Sequence, residues 1–466
     1  MLPRSSFLTL AACALVLAPA LQAQRRVSND WEIRNEMKLP AGVDPARVRD
    51  YFPDFRDYID IVLFHPTAGY YSSGRVDFTT HYRTFPNTLS PAFGQMIAEH
   101  VFRMWDGMRT AQTLRPADKF TIAEFGPGNG ALAESILNYI DAQAAKSPDP
   151  RWHVFQEQVV YASYDRSPAL STMQKERNSR FGARFEARIG DATNPGATIP
   201  PGSLKGVVLS NELPDCFSVH KVVLNPNGIA ELAYVAPYFM ADEWPAIARN
   251  VPSAARELAQ KDAAAIQASI FTSEAGQSSP GSKEHFYLSQ RALNAVLDAI
   301  GQRTTYEVEI RRLQFQEIYV PVTVVPEVAE YFRRYGNAYA NRLARTGQGL
   351  VTYVNLGEGK FIQGAGAALE AGYVITIDYG ANWDGILDLD YDHLRMYGPG
   401  AAESRANPYQ YPTLNDMTTD ANFSHIAEEG AAAAEELHAQ SGTLKEIVSK
   451  LTALVGSGGP GYSKSY

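Results

Sequence analysis

Residues 120–130 read Phe-Thr-Ile-Ala-Glu-Phe-Gly-Pro-Gly-Asn-Gly, and this stretch decides the fold. The apolar run 120–125 predicts a short buried β-strand, which the glycines and the proline end. Residues 131–142 carry apolar side chains at helical spacing and predict an α-helix. A glycine-rich turn between a strand and a helix lets a ligand approach the backbone and presents N–H groups to an anion. A simple tight turn is the alternative interpretation.

Further strand candidates follow this turn, and segments with helical periodicity or loops separate them. They lie at 159–163, 185–189, 206–209 and 372–380. Strands that alternate with helices predict an α/β fold around a mostly parallel sheet. A helix is expected after Pro91, a hairpin around Asn225–Gly228, and a C-terminal helix over 424–454.

The chain has 466 residues, which is enough for about three domains or for one large domain with an insertion. Residues 225–345 interrupt the alternation and are too long for an ordinary strand–helix connection, so they predict an inserted subdomain. The predicted organisation is a signal peptide at 1–23, an N-terminal helical or lid segment at 24–115, the first half of the core at 116–224, the insertion at 225–345, the second half of the core with C-terminal elements at 346–455, and a flexible tail at 456–466.

The N-terminus has the layout of a secretory signal. Arg4 precedes an apolar run over 7–21, and Ala23 is a small residue at a plausible cleavage point. This layout predicts export to the periplasm or the medium, with a cytoplasmic or mitochondrial location as the alternative. An uncleaved membrane anchor and a lipoprotein signal ending at Cys13 are the other interpretations of the segment. After signal removal the sequence predicts no membrane span.

The composition excludes several classes of protein. Hydrophobic residues make up 45% of the chain and charged residues 20%, which are ordinary globular values. The 42 basic against 51 acidic residues give a net charge of −9, which argues against nucleic-acid binding. Two cysteines, Cys13 and Cys216, are too few for a disulfide scaffold.

Polar side chains follow the predicted strands where a parallel sheet binds its ligands. Asp165 ends the second strand and could accept hydrogen bonds from ribose hydroxyls, and Asp191 after the third strand could contact a base. The fourth strand runs into Asn211, Glu212 and, shortly after, Asp215. Each of these residues could instead be an ordinary turn or cap residue. Cys216 is more consistent with a small apolar filler than with a nucleophile.

The chain resembles the MidA family of S-adenosylmethionine-dependent methyltransferases, which includes the mitochondrial complex I assembly arginine methyltransferase. The similar segments occur in the family's order over about residues 50–450. They are Phe64–Tyr71, Asp77–Thr80, Ser90–Gly94, Glu124–Gly130, Asn211–His220, Asp378–Gly380, Leu394–Tyr397 and Asp416–Phe423. The sequence departs from the family at Val76, Asn129 and Cys216–Ser218.

The resemblance implies a Rossmann-like fold of the class I methyltransferase type, with helices on both faces of the sheet. It implies methyl transfer from S-adenosylmethionine to a protein substrate, on an arginine side chain, and no metal site. The implied catalytic residues are Glu212, Asp215 and, as a lid contact, Asp77. The implied cofactor-binding residues are Glu124, Gly126, Gly128, Gly130, Asp165, Asp191 and Asn211.

Two other functions remain open from the sequence. An export signal would place the protein where S-adenosylmethionine is scarce, so a catalytically silent binding protein on the same fold is one alternative. A nicotinamide-dependent oxidoreductase that uses the same glycine loop is the other. Binding of S-adenosylmethionine or of NADH discriminates between them.

Overall fold

The computed structural model describes residues 36–73, 76, 91–273, 276, 278–279, 282–301, 303–387, 393–398 and 407–441, with side chains up to residue 434. The predicted signal at 1–23, the predicted lid contact Asp77 and the predicted tail at 456–466 lie outside the described residues. Within the described ranges, none of the helices combines the length and apolar character needed to cross a membrane.

Five parallel strands form the central sheet, in the order β10-β4-β1-β2-β3. Their bounds are β1 Phe120–Phe125, β2 Val159–Asp165, β3 Phe185–Ile189, β4 Leu204–Asn211 and β10 Leu369–Ile377. The chain moves outward from β1 to β3 and then crosses back to β4, so the strand order reverses between β1 and β4. In such sheets the ligand binds in the crevice beside the carboxyl ends of the strands at this reversal.

Helices cover both faces of this sheet, as predicted. On one face α2 Ala92–Thr110, α3 Ala131–Lys146 and α4 Arg151–Gln158 pack against inward side chains such as Ile122 and Val207. On the other face α11 Leu356–Ala368 and α13 Phe423–Ser441 pack against neighbours such as Ala123 and Val208. Successive strand residues therefore face opposite cores, as the two-residue period of a strand requires. Helix α5, Pro168–Asn178, connects β2 to β3.

A second sheet, antiparallel throughout, lies in the chain between β4 and β10. It contains β5 His220–Leu224, β6 Ala230–Met240, β7 His285–Tyr287, β8 Gln314–Pro321 and β9 Leu350–Val354. The pairing of β5 with β6 confirms the predicted hairpin. The sheet starts before and ends after the predicted bounds 225–345, because β5 pairs with β9 along its whole length.

The remaining elements lie around these two sheets. Helix α1, Phe55–Phe64, precedes the core, and five helices lie within the segment of the second sheet: α6 Trp244–Ala248, α7 Ser253–Ser269, α8 Gln290–Ile300, α9 Tyr306–Ile310 and α10 Pro326–Thr346. After β10 come β11 Gly380–Ala381, α12 Trp383–Ile386, β12 Leu394–Tyr397, β13 Asp416–Thr419 and β14 Ala421–Asn422. Strands β12 and β13 form an antiparallel pair.

Candidate functional site

The glycine loop after β1 has a backbone that only glycine adopts without strain. Gly126 and Gly130 have φ angles of 69° and 79°. A Cβ atom on Gly126 would lie 2.7 Å from Cδ1 of Leu213, and one on Gly130 would lie 2.8 Å from Nδ2 of Asn178. Both positions therefore need glycine for its conformation and for close packing.

The loop leads directly into the N-terminus of α3. Gly130 is the residue before the helix and makes no side-chain capping bond, while Oδ1 of Asn129 accepts a hydrogen bond from the Ala131 N–H at 3.2 Å. The first turn of a helix carries N–H groups without intrahelical partners and the positive end of the helix dipole. A carboxylate of a bound ligand is the group that this end favours.

Asp165 lies beside the glycine loop, and Gln174 connects the two. The Gln174 amide donates to the Gly128 carbonyl at 2.8 Å and to Oδ2 of Asp165 at 3.3 Å. Oδ1 of Asp165 accepts from the Ser167 N–H at 2.8 Å. Each carboxylate oxygen can accept a second hydrogen bond, so the group retains capacity for two hydroxyl donors. Burial raises the pKa of Asp165 to about 6.

Glu124 and Asp191 are the other two acidic residues that were predicted to bind the cofactor. Their environments differ from that of Asp165. Glu124 is 2% exposed and accepts a hydrogen bond from the Tyr161 hydroxyl at 2.7 Å, and burial raises its pKa to about 7. Asp191 is more exposed, and its Oδ1 accepts from the backbone and hydroxyl of Thr193 in the turn after β3. Arg166 lies between Asp191, at 3.7 Å, and Asp60 of α1, at 2.9 Å.

The end of β4 supplies a buried acceptor and a strained residue. Asn211 is 7% exposed, and within the described part of the chain its Oδ1 has no hydrogen-bond partner. Glu212 has a φ of 50°, which is uncommon for a residue with a side chain, and its N–H donates to the Ile377 carbonyl at 2.8 Å. Strained backbone of this kind concentrates at functional sites.

Three aspartates from distant parts of the sequence meet just beyond this point. The Asp215 N–H donates to Oδ2 of Asp378 at 3.0 Å, and Asp416 on β13 packs against the turn that holds Asp215. Burial raises the pKa of Asp215, and burial together with Asp215 raises that of Asp378. The neighbouring Arg395 is bound to Asp420 at 2.5 Å. The cluster is therefore a place where an additional cation would be stabilised.

Cys216 lies in this acidic environment and is not an activated thiol. Burial, followed by the charges of Asp215 and Asp416, raises its pKa well above the usual value. A thiol whose pKa is raised carries little thiolate at neutral pH. The interpretation of Cys216 as a filler rather than a nucleophile agrees with this environment.

Several residues of the site were missed by the predictions from sequence. Gln174 has no motif signal, because its role depends on a helix lying against the loop. Asp378 and Asp416 each begin a segment that resembles the family, Asp378–Gly380 and Asp416–Phe423, and that resemblance was the available signal. Among the residues that the structure describes, no group of three or more His, Cys, Asp or Glu side chains is arranged to hold a metal ion.

The buried carboxylates predict an unusual pH dependence of stability. The pKa values of Glu124, Asp165 and Asp416 are raised to about 7, 6 and 7, from 4.5, 3.8 and 3.8 in the unfolded chain. The native state thus binds more protons than the unfolded state between about pH 4 and pH 7, and the free energy of unfolding falls as pH rises. Each group contributes on the order of 3 kcal/mol to this loss.

We expect urea unfolding of the cofactor-free protein to give a higher free energy of unfolding at pH 5 than at pH 8. The Glu124→Gln variant should show a smaller difference between the two pH values, because it removes one of the titrating groups. A free energy of unfolding that rises from pH 5 to pH 8 would contradict these protonation states.

The fold and the site together define a nucleotide-binding α/β protein of the class I methyltransferase type. Over residues 96–441 the chain matches the model of the family described as "Putative S-adenosyl-L-methionine-dependent methyltransferase". The chain belongs to this family of S-adenosylmethionine-dependent methyltransferases, and S-adenosylmethionine is its cofactor. No curated protein matches the chain.

Two solved structures from Burkholderia thailandensis are similar to the chain. One is a COG1565 superfamily member bound to S-adenosyl-homocysteine, with 21% identity and a TM-score of 0.48, covering 83% of this chain and 73% of that one. The other is a native structure of a COG1565 superfamily protein, with 20% identity and a TM-score of 0.48, covering 83% of this chain and 72% of that one.

The residues at the carboxyl edge of the sheet fit this cofactor. The glycine loop and the N-terminus of α3 suit its carboxylate, Asp165 suits its ribose hydroxyls, and the unpartnered Oδ1 of Asn211 suits its ammonium group.

Proposed function

We propose that the protein methylates a guanidinium nitrogen of an arginine side chain in a protein substrate. The observation that carries the proposal is Asp215, a 6% exposed carboxylate next to the end of β4. Across the described ranges its Oδ1 has no hydrogen-bond partner. A buried carboxylate oxygen without a partner is costly, and a cationic N–H donor from a substrate would satisfy it.

The acceptor side of the site is built from carboxylates that suit a planar cation. Glu212, which has the strained backbone, and Asp215 both follow the end of β4, and the carboxyl group of Asp378 after β10 accepts a hydrogen bond from the Asp215 N–H. A guanidinium offers five N–H donors in a fixed plane and pairs with two carboxylates at once. An anionic acceptor would be repelled here, and an ammonium group, which is a point charge, would pair with two carboxylates less specifically.

Methyl transfer requires alignment more than acid–base chemistry. When bound, S-adenosylmethionine supplies a methyl group on a positively charged sulfur. The protein's part is to hold one nitrogen of the guanidinium in line with that group and to exclude water. Glu212 and Asp215 orient the guanidinium of the substrate. The glycine loop and Asp165 hold the cofactor on the other side of Asn211.

Transfer to a matched pair of peptides tests the proposal. The protein is incubated with S-adenosylmethionine labelled in the methyl group and with two peptides that differ only by arginine or lysine at one position. We expect label in the arginine peptide at least ~10-fold above the lysine peptide, because lysine pairs as a point charge. Hydrolysis should release the label as methylarginine.

Three other outcomes contradict the proposal. Preferential labelling of the lysine peptide would assign a different acceptor. Cofactor binding without transfer to either peptide or to proteins of a cell lysate would favour the catalytically silent binding protein. Binding of NADH in place of S-adenosylmethionine would favour the oxidoreductase.

A further inference from the structure

Asp416 is a second buried carboxylate on the acceptor side, and it comes from the C-terminal hairpin. It is the first residue of β13, lies opposite Tyr397 of β12 and is 3% exposed. Strand β13 packs against the turn Pro214–Cys216, which carries Asp215. The hairpin therefore brings Asp416 to the same side of the site as Asp215.

The two oxygens of Asp416 are in different environments. Oδ2 accepts a hydrogen bond from the Tyr71 hydroxyl at 2.7 Å. Oδ1 is buried, and the described residues provide it with no hydrogen-bond partner. The hydroxyl oxygen of Thr418, two residues along the same strand and therefore on the same face as Asp416, is also buried and lacks a described partner. A polar wall with an unpartnered carboxylate oxygen is the feature that a ligand with several N–H donors would complete.

The titratable groups that act on Asp416 come from three parts of the chain. Asp215 and Cys216 act on it from the turn after β4, Tyr71 from the N-terminal segment and Tyr397 from β12. Burial raises the pKa of Asp416 to about 7, the Tyr71 hydrogen bond lowers it, and the charge of Asp215 raises it. A general base works best with a pKa near the working pH.

Contacts of the Tyr71 ring and of its backbone carbonyl connect this residue to the cofactor-binding part of the site. Its ring stacks on Phe64 at 5.5 Å, and the Arg166 guanidinium lies 4.3 Å from the Phe64 ring centre. The Ser167 hydroxyl donates to the Tyr71 carbonyl at 3.2 Å. Arg166 and Ser167 directly follow Asp165, so the position of the Tyr71 hydroxyl depends on the end of β2.

We propose that Asp416 is a catalytic residue that binds the substrate guanidinium opposite Asp215 and accepts its proton at Oδ1, with Tyr71 as the positioning residue. The inference rests on the proposed function. The nitrogen lone pair forms the new N–C bond, and the electron pair of the broken C–S bond stays on sulfur. One N–H proton passes to Oδ1 of Asp416 and then to solvent, so the guanidinium retains a single positive charge.

The test combines a binding measurement with kinetics in three variants. Acetylarginine amide is titrated into the protein saturated with S-adenosylhomocysteine, and methyl transfer to the arginine peptide is followed against pH. The variants are Asp416→Asn, Tyr71→Phe and, as the matched control, Asp262→Asn. Asp262 is a 1% exposed aspartate on α7 that pairs with Arg291, so the control tests the effect of altering a buried aspartate elsewhere.

We expect Asp416→Asn to lower kcat by ~100-fold, which is in the range for loss of a general base. Its affinity for acetylarginine amide should fall ~10-fold, and its affinity for S-adenosylmethionine should stay within ~3-fold. Tyr71→Phe should move the acidic limb of the kcat/KM profile to higher pH, because it removes the hydrogen bond that lowers the pKa of Asp416. A purely structural role of Tyr71 would leave that limb in place.

The outcomes separate this inference from the proposed function. If the Asp416→Asn variant keeps the kcat and the affinity for acetylarginine amide of the wild type, the role of Asp416 is overturned. The proposal of arginine methylation would still stand. An Asp262→Asn variant with the same losses would also overturn it, because the effect would then be general. Wild-type protein that binds S-adenosylmethionine but neither binds nor methylates arginine would overturn both proposals.

Discussion

The Gly128→Val variant is expected to lose cofactor binding by at least ~10-fold and methyl transfer by at least ~100-fold. Gly128 has a φ of 53°, and a residue with a Cβ costs about 1–2 kcal/mol in this region. Valine adds a branched side chain in a loop whose backbone must lie against the cofactor. It also disturbs the Gly128 carbonyl, which Gln174 links to Asp165. One substitution therefore affects the loop and the ribose-binding carboxylate together.

Gly347→Val is the matched control for this variant. Gly347 follows α10 with a φ of 66°, and a Cβ atom there would meet nothing within 4 Å. It carries comparable backbone strain outside the candidate site. Isothermal titration with S-adenosylmethionine and counting of transferred label measure the two losses. Equal labelling by Gly128→Val and the wild type would remove the glycine loop from the cofactor site.

The second large effect is expected for Asp215→Asn, which should lower methyl transfer by ~10- to 100-fold. A hydrogen bond to a charged group contributes about 1.5–3 kcal/mol, and asparagine removes the charge while keeping the size of the side chain. The bond from the Asp215 N–H to Asp378 is a backbone contact and should persist in the variant. We expect the affinity for S-adenosylmethionine to change by less than ~3-fold, because the lost interaction belongs to the acceptor.

Asp118→Asn provides the comparison for Asp215→Asn. Asp118 precedes β1 at the amino edge of the sheet and pairs with Lys205 at 2.9 Å, away from the site. Steady-state transfer to the arginine peptide and titration with the cofactor are measured for both variants. Full transfer by Asp215→Asn, or an equal loss in Asp118→Asn, would exclude Asp215 as the residue that holds the acceptor.

The strands of the core were predictable because their signals are local. The run before the glycine loop is β1 over Phe120–Phe125, and the third predicted strand is β3 over Phe185–Ile189. The second candidate, 159–163, extends to Asp165, so the predicted ribose-binding residue is itself the end of β2. Apolar runs bounded by glycine, proline or a polar residue carry this information within a few positions.

The edges of the second sheet were less predictable, for a physical reason. Strand β5 pairs along its whole length with β9, and about 125 residues of chain separate these two strands. The predicted start of the insertion at 225 therefore fell after β5. Pairing between distant strands leaves no local pattern from which a boundary could be drawn.

The contacts among the residues on the acceptor side of the site were also not predictable from local sequence patterns. Glu212 and Asp215 follow β4 directly, and the expectation that they lie at the carboxyl edge came from the alternation of strands and helices. Their partner Asp378 lies 163 positions after Asp215. Asp416 and Tyr71 are 345 positions apart, and a hydrogen bond joins them.

The sequence by itself determined that a parallel α/β sheet carries a glycine loop and that acidic residues follow its strands, because strand length, turn chemistry and helical spacing are local properties. Only the tertiary structure decided which carboxylates face one another, which of their oxygens stay without a partner, and that Tyr71 binds Asp416. Those facts depend on packing between segments that are far apart in the chain, where burial rather than residue type sets the charge and the pKa of each group.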